Sequence, residues 1–342
     1  DLPDRFSNDI LYPVSSGPGL ASFTGNPEGR RWFAGPFAET IPDHIPISSW
    51  SRADVNDDVL KVMTYNLLSA EKKRRRFPWA DRRGSVADLI TRVDPDVIGT
   101  QEANFAQIRD LQDRLPQYGL IAAGNLGPGQ VEHDSNWYSA VFYHRERIER
   151  LEQPGERFWL SPQPDRPASR FALASRPRVA VWAMLRHRAT ERRFLFGTTH
   201  LEAFMPGHRR EGARLLQEYV GRKLRELGEE MPVFLTGDFN ARADTAEIRR
   251  LKLDSTAGPA LHDAWQEAGH GESRESATFR GLDLRDRVGN WLLGHRRIDY
   301  VFFRPRLEID GVERIDYARY LALDQVPPSD HDPVLASFRL AS

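Results

Sequence analysis

The sequence of 342 residues predicts a layered α/β or α+β fold. From Val59 onward, short apolar runs alternate with amphipathic stretches. The clearest of these stretches lies between Gly207 and Gly228, where apolar residues recur at helical spacing opposite Arg and Glu. Strands interleaved with helices bury their apolar faces in stacked layers. With 40% hydrophobic residues, the chain can form one large domain or two ordinary ones.

The predicted strands are short runs with strong β-propensity, bounded by turn residues. They cover residues 60–65, 96–100, 138–143, 179–185, 194–199, 232–235, 297–303 and 333–338. A further helix is indicated at 85–90. Residues 1–57 differ, since they are rich in Pro, Gly, Ser and Asn and show no sustained period. Their scattered aromatic residues argue against a disordered tail, so we expect an irregular arm packed on a catalytic body of residues 58–342.

The composition excludes several classes of protein. The 48 basic and 49 acidic residues give a net charge near zero, which argues against dominant non-specific nucleic-acid binding. The absence of cysteine excludes disulfides, Cys-ligated zinc and thiol nucleophiles, but it fixes no compartment. No apolar stretch approaches the roughly 18 residues of a membrane span. The chain begins at Asp1 rather than Met, so a soluble protein that is secreted or periplasmic after removal of a leader stays among the alternatives. The sequence does not decide the oligomeric state.

The most informative motif is Thr236-Gly237-Asp238-Phe239-Asn240, directly after an apolar run. Asp238 and Asn240 are two residues apart, so on an extended chain their side chains point the same way. A carboxylate and an amide together suit a divalent metal, an attacking water or a phosphate. An Asx-type turn that ends the strand is the alternative.

Five further polar clusters lie at the ends of predicted strands, where binding sites commonly occur. They are Tyr65-Asn66, Gln101-Glu102, Thr199-His200, Arg297-Ile298-Asp299-Tyr300 and Ser329-Asp330-His331. Carboxylate and amide oxygens predominate in this set, which favours Mg²⁺, Mn²⁺ or Ca²⁺ over zinc. The two histidines can move protons near neutral pH. The sequence therefore predicts one shared site.

In this order and spacing, from about residue 59 to 340, the clusters resemble the endonuclease/exonuclease/phosphatase superfamily of deoxyribonuclease I-like metal-dependent phosphoesterases. The resemblance implies a single catalytic domain, a four-layer sandwich of two packed mixed β-sheets flanked by helices, with the site at one rim. It also implies in-line attack of an activated water on a phosphate ester.

The resemblance implies roles for individual residues. Glu102 would be the principal metal carboxylate, with Asn66 nearby and Asp330 completing the shell. Asp238 and Asn240 would orient the water and the phosphate.

On the same basis, His331 would contact the phosphate or act as general base, and Asp299 would accept its ring N–H. His200 would lie on the leaving-group side, as a general acid or a phosphate donor. Arg178 is a candidate phosphate clamp, because guanidinium matches phosphate oxygens in fork geometry. The alternative for Arg178 is a surface residue at a strand edge.

Three features stay open at this level. Some relatives pair the histidine equivalent to His200 with a Glu just before the strand at 138–143, but that position holds no Glu here. Either Glu132 or Asp134 substitutes, or His200 lacks a carboxylate partner. The basic run 72–76 either attracts a polyanion or forms a solvated loop. Trp79, Trp137 and Trp291 either stack on a base or sugar, or pack in the protein.

The sequence thus predicts a Mg²⁺- or Mn²⁺-dependent phosphoesterase, with Ca²⁺ a further candidate. A small or medium phosphorylated metabolite is favoured as substrate, because no strongly basic face is evident. A nuclease acting on DNA or RNA is the alternative enzyme. A non-catalytic binding module with the same fold is the alternative of another class, and the intact set of polar residues counts against it.

Overall fold

Two β-sheets form the centre of the computed structural model, which describes residues 58–71, 77–151, 156–281, 296–321 and 326–340. The irregular arm predicted for 1–57, the basic run 72–76 and Trp291 lie outside the described residues. The strands, in chain order, are β1 (Val59–Asn66), β2 (Val97–Ala103), β3 (Tyr118–Gly124), β4 (Tyr138–His144), β5 (Ile148–Arg150), β6 (Glu156–Trp159), β7 (Val179–His187), β8 (Arg193–His200), β9 (Val233–Asp238), β10 (His262–Asp263), β11 (Asp299–Arg304), β12 (Ile309–Arg314) and β13 (Val334–Arg339).

Both sheets are mixed. The first has the order β12-β13-β1-β2-β4-β3, and its one parallel pair is β1 with β2. The second has the order β10-β11-β9-β8-β7-β5, with β6 also on β7, and its one parallel pair is β8 with β9. Each parallel pair brings two strand ends to the same edge, and each such edge carries predicted site residues.

Helices cover the outer faces of the two sheets. They are α1 (Trp79–Val93), α2 (Phe105–Arg114), α3 (Pro206–Leu227), α4 (Ala246–Leu251) and α5 (Ala264–Glu267), with short 3₁₀ turns at Pro128–Gln130 and Tyr317–Arg319. In α3, the repeating apolar residues Leu216, Val220 and Leu224 are buried in one cluster with Val233 and Leu235 of β9. This burial explains why the amphipathic stretch folds as a helix on the sheet. The four-layer sandwich expected from the sequence is confirmed.

The two sheets meet closely just below the site. A Cβ added to Gly99 of β2 would lie only 2.0 Å from Thr236 Oγ1 of β9, so only glycine fits there. Gln101, which was grouped with Glu102 among the polar clusters, bridges the sheets instead, since its Nε2 donates to Thr64 Oγ1 at 3.3 Å and Thr198 Oγ1 at 3.0 Å. A polar bridge of this kind fixes how the sheets sit relative to each other.

The predicted elements recur with shifted boundaries. The helix indicated at 85–90 extends over Trp79–Val93, and the strand expected to begin at Arg297 begins at Asp299. Arg297 lies two residues before the strand, and its side chain forms a buried ion pair with Asp263. Within the described ranges, no helix is long and apolar enough to cross a membrane.

Candidate active site

The predicted site residues gather where strands of both sheets end. Asn66, His200 and Asp238 are the last residues of β1, β8 and β9, and Asp299 is the first residue of β11. In the sheet register, Asp238 pairs with His200 on one side and with Asp299 on the other. The strand pairing alone therefore places an imidazole and a second carboxylate beside Asp238.

Asp238 is the centre of this group and is 2% exposed. Its Oδ2 accepts a hydrogen bond from Asn66 Nδ2 at 3.0 Å, and its Oδ1 accepts one from the Asn240 backbone N–H at 2.9 Å. The Nε2 atoms of His200 and His331 lie 3.4 Å and 3.8 Å from Oδ2. Burial and the nearby Asp299 raise the pKa of Asp238 to about 7, against the opposing effect of His331.

His331 forms a buried pair with Asp299. Its Nδ1 lies 2.8 Å from Asp299 Oδ2, so the N–H on Nδ1 donates to the carboxylate and Nε2 is left toward Asp238. Burial lowers the pKa of His331, but the charge and hydrogen bond of Asp299 outweigh it and raise the pKa to about 10. The other oxygen of Asp299, Oδ1, is buried without a hydrogen-bond partner. The pair thus combines an imidazolium with an unused carboxylate oxygen.

Asn240 reaches the site by a route that differs from the one expected. The chain is not extended there, because Asn240 has a φ of 49°, in the left-handed region that Asn tolerates better than most residues. Its backbone N–H closes an Asx-type turn on Asp238, while its Nδ2 donates to the Leu201 carbonyl and lies 2.9 Å from His200 Nε2. The turn and the site are therefore the same structure, and Nε2 of His200 is an acceptor in it.

Glu102 stands in a strained position at a β-bulge. Its φ is 68°, which is rare for a non-glycine residue, and the register of β2 against β4 shifts between Thr100 and Ala103. Its Oε2 accepts from the Ser69 backbone N–H at 3.2 Å. It does not cap α2, because Asn104 and Gln107 form the capping box of that helix. Strain held at a strand end is common in functional sites.

The two other predicted metal residues, Asn66 and Asp330, are linked to each other. Asn66 accepts at Oδ1 from the Leu68 N–H at 3.0 Å, which leaves its second lone pair unassigned. Ser329 Oγ donates to the Asn66 carbonyl at 2.6 Å and lies 3.5 Å from Asp330 Oδ1. Asn66 and Asp330 are therefore joined through one serine.

A second donor group, not predicted as a metal set, is formed by Asp238, Asp299 and His331, whose ligand atoms all lie within 4.8 Å of one another. The two carboxylates offer the hard oxygen donors that a divalent cation such as Mg²⁺ prefers. The unpartnered Oδ1 of Asp299 is an acceptor that such an ion or an ordered water would satisfy. The donors present fit a divalent metal.

Arg178 is not a surface residue. It is 7% exposed, its Nε lies 3.6 Å from Glu202 Oε2, and its Nη2 lies 3.5 Å from Ser175 Oγ. Burial lowers the pKa of Arg178, and Glu202 partly restores it. It shares a small cavity with Glu102 and His200, so it is positioned beside the site.

Trp137 packs against two neighbouring side chains inside the protein. Its indole is 9% exposed and stacks on His200 with ring centroids 6.1 Å apart, and the Arg176 guanidinium lies 3.3 Å from a ring centroid of the same indole. Its Nε1 donates to Glu71 Oε2 at 2.9 Å. Trp79 is likewise buried, with its Nε1 bonded to Asp110. Glu132 and Asp134, the proposed partners of His200, are exposed. A carboxylate that does lie beside His200 is that of Asp238, whose Oδ2 is 3.4 Å from Nε2.

Three residues near the site were not found from the sequence. Arg82 of α1 is buried and donates to the carbonyls of Leu67, Leu68 and Pro328, so it fastens the segment after Asn66 to the segment before Ser329. Glu202 follows His200 by two residues, and Arg176 precedes Arg178 by two. That spacing was the available signal for the last two, since alternate residues of an extended segment share a face. Arg82 gives no such signal within an amphipathic helix.

A layered two-sheet fold with a rim of buried carboxylates, amides and imidazoles defines a class of metal-dependent hydrolase. The model of the Endonuclease/Exonuclease/phosphatase family matches residues 63–331, and the chain belongs to this family. Members of this family are hydrolases that act on phosphoester bonds.

Individual relatives are distant. The chain is 24% identical to Nocturnin of Drosophila melanogaster over 334 residues, which is 86% of this chain and 49% of that protein. It therefore spans about half the length of that relative. The crystal structure of an endonuclease/exonuclease/phosphatase from Bacteroides vulgatus matches 83% of this chain and 99% of its own, with a TM-score of 0.67 and 24% identity. A mannosyl-6-phosphatase from Bacteroides thetaiotaomicron matches 82% and 99%, with a TM-score of 0.64 and 26% identity.

Proposed function

We propose that this protein is a phosphatase that uses Mg²⁺ or Mn²⁺ to hydrolyse a small or medium phosphorylated metabolite. The observation that carries the proposal is the environment of Asp238, a buried carboxyl fixed by Asn66 and Asn240 between the imidazoles of His200 and His331. The near-zero net charge supports a small substrate over a polyanion. The similarity to a mannosyl-6-phosphatase supports the same substrate class.

Glu102, Asn66 and Asp330 are the residues proposed to hold the metal. A divalent cation bound there would neutralise charge on the phosphate oxygens. Their oxygens are the hard donors that Mg²⁺ and Mn²⁺ prefer, with Ca²⁺ a weaker candidate. The strained backbone of Glu102 supports the assignment, because strain held at a strand end is common in functional sites.

Asp238 is proposed as the general base. A carboxyl with a pKa of about 7 is well matched to accept a proton from water at neutral pH. Asn66 and Asn240 donate to its two oxygens and so fix the direction of its free lone pairs. Asn240 also holds His200, which is proposed to face the leaving group.

His331 is proposed to contact the phosphate and not to act as the base. Its pKa of about 10 keeps the ring protonated at neutral pH, so Nε2–H can donate to a phosphate oxygen. Asp299 holds Nδ1–H and sets the orientation of the ring. Arg178 is proposed to supply further positive charge from behind His200.

Because all these residues lie between Asn66 and His331, residues 58–342 are proposed as the catalytic domain, with 1–57 as an accessory arm.

The test is a substrate panel with the purified protein. We expect hydrolysis of aryl and sugar phosphate monoesters in Mg²⁺ or Mn²⁺, abolished by EDTA and restored by excess metal. Faster hydrolysis of DNA or RNA, with affinity falling steeply as salt rises, would replace the proposal with a nuclease. Hydrolysis of none of these, nor of lipid phosphodiesters, would refute the phosphoesterase proposal.

A further inference from the structure

A second cavity adjoins the reaction centre, and the proposed reaction does not use it. Arg178 lines both cavities. On one side it faces the space that it shares with Glu102 and His200. On the other it faces a space lined by Arg170, Arg176 and His208. Arg178 is therefore the wall between the reaction centre and the second cavity.

Arg178 has fewer partners than its burial requires. It is 7% exposed, yet its Nε has no hydrogen-bond partner and its nearest carboxylate oxygen, Glu202 Oε2, lies 3.6 Å away. Its contact with Ser175 Oγ is also long, at 3.5 Å. A guanidinium carries five N–H donors, and a buried cation that leaves them unused is destabilising. Glu202 pairs with this guanidinium through one long contact, so N–H donors are left for a second anion.

Two further arginines add positive charge to the second cavity. Arg176 packs on Trp137, and its Nη2 lies 3.8 Å from Glu71 Oε2, beyond hydrogen-bond distance. Arg170 is exposed at the mouth of the second cavity. The lining thus combines three guanidinium groups with the single carboxylate of Glu202. Positive charge is in excess on the side of the site where His200 stands.

We propose that the second cavity binds a second anionic group of the substrate, carried by the leaving alcohol. This inference rests on the proposed phosphatase function and narrows its substrate class to a small bisphosphate or a phosphorylated carboxylic acid. The cavity volume is about 10 Å³, room for about one water-sized group, so one oxygen of the anion enters it and the others face Arg170 and solvent. Guanidinium groups bind both phosphate and carboxylate in this manner.

The experiment compares a sugar monophosphate with the matching sugar bisphosphate in Mg²⁺. We expect kcat/KM to be about tenfold higher for the bisphosphate, mainly through a lower KM, as charge-assisted hydrogen bonds contribute in this range. Arg170→Gln should remove most of that advantage and leave the monophosphate unchanged. Arg166→Gln is the matched control, because Arg166 is exposed on the same segment, bonds to Gln163 and does not line the cavity.

Equal kcat/KM for the two sugars, or an equal effect of Arg170→Gln on both, would overturn the inference. A dinucleotide that shows the Arg170-dependent advantage when the sugar bisphosphate does not would also refute it, in favour of a nucleic-acid leaving strand. Calorimetric titration of Asp238→Asn with the same two sugars gives a result without turnover. Tighter binding of the bisphosphate that depends on Arg170 supports the subsite even if no hydrolysis occurs, and equal binding rejects it.

Discussion

Arg297 and Asp299 are two residues apart in the sequence, and both are buried. They differ in how completely their charged groups are hydrogen-bonded. Arg297 donates to both carboxylate oxygens of Asp263, at 3.1 and 2.6 Å, and to Glu272, and its guanidinium lies 4.3 Å from the Tyr300 ring centroid. Asp299 accepts a hydrogen bond from His331 at Oδ2, whereas its other oxygen, Oδ1, is buried without a hydrogen-bond partner.

The contrast separates a structural ion pair from a reaction centre. The Arg297 network satisfies its charges internally, and the pKa of Arg297 is raised, because the effect of Asp263 outweighs burial. Around Asp299 and Asp238, burial and like charge instead raise the pKa of a carboxyl toward neutrality. Perturbed and incompletely paired groups of this second kind cluster at functional sites. Substitutions in the two regions should therefore affect different properties.

Asp238→Asn should have the largest effect, and it should be on activity. It removes the proposed base and the charge that His331 faces, so kcat should fall by about 10²–10⁴-fold, the range of general-base catalysis. Thermal stability should change little, because the substitution also removes repulsion between Asp238 and Asp299. Steady-state kinetics in Mg²⁺ and thermal unfolding measure the two properties on the same sample.

Turnover near the wild-type value in this variant would remove Asp238 from the mechanism. A large drop in melting temperature would instead class Asp238 with the structural region, and the comparison would fail.

Asp263→Asn should give the opposite result. It leaves the guanidinium of Arg297 fully enclosed with only Glu272 as a charged partner. Removing one partner of a buried pair destabilises a protein by about 3–5 kcal/mol, so the denaturant midpoint should fall clearly. The fraction that stays folded should keep a kcat near wild type, since Asp263 does not contact the site residues named above. A strong loss of kcat without loss of stability would contradict the division.

The sequence was sufficient to predict the layered fold and the meeting of the polar clusters. Strand ends are visible as changes from apolar to polar residues. Parallel pairing then brings His200 beside Asp238 in one sheet and Asn66 beside Gln101 in the other. It could not show that Asn240 has a left-handed backbone or that Glu102 sits on a bulge. Both depend on tertiary packing that overrides local preference.

The rate should depend on pH through Asp238 and His331. Because Asp238 must be deprotonated to act as base, kcat/KM should fall about tenfold per pH unit below its pKa. The pair of Asp238 and His331 should place this limb near pH 7, or lower when a bound cation favours the carboxylate. Because His331 must be protonated to contact the phosphate, activity should also fall above about pH 10.

Asp299→Asn tests the assignment of the alkaline limb. It removes the carboxylate that raises the pKa of His331, so this limb should move to lower pH. An alkaline limb that stays in place would show that His331 is not the group responsible. The rate profile should be measured at saturating metal, so that metal loss does not imitate either limb.

Burial of charge is the part of the site that sequence patterns conceal most. The sequence leaves Arg178 as either a phosphate clamp or a surface residue. The structure excludes the surface residue, because Arg178 is buried beside Glu202, which no motif indicates. Likewise, Trp137 read as a candidate stacking surface for a base, yet Arg176 and His200 contact its indole. Whether a cation or an aromatic ring is available to a ligand depends on neighbours distant in sequence.

Substitution of Trp137 should have the smallest effect on activity. Unlike Asp299, Trp137 has a well-packed ring and a hydrogen-bonded N–H. Trp137→Phe keeps an aromatic ring against His200 but loses the N–H that bonds to Glu71. The loss of one such hydrogen bond to a charged group should lower the free energy of unfolding by about 1–3 kcal/mol. Trp137→Ala should also free the His200 ring, so kcat should fall for all substrates alike. If Trp137 served as a stacking surface, only nucleotide substrates would lose affinity, by about 1–3 kcal/mol per stacked base. Comparing KM and kcat for a nucleotide and a sugar phosphate in both variants therefore decides whether this side of the rim is support for His200 or part of a substrate surface.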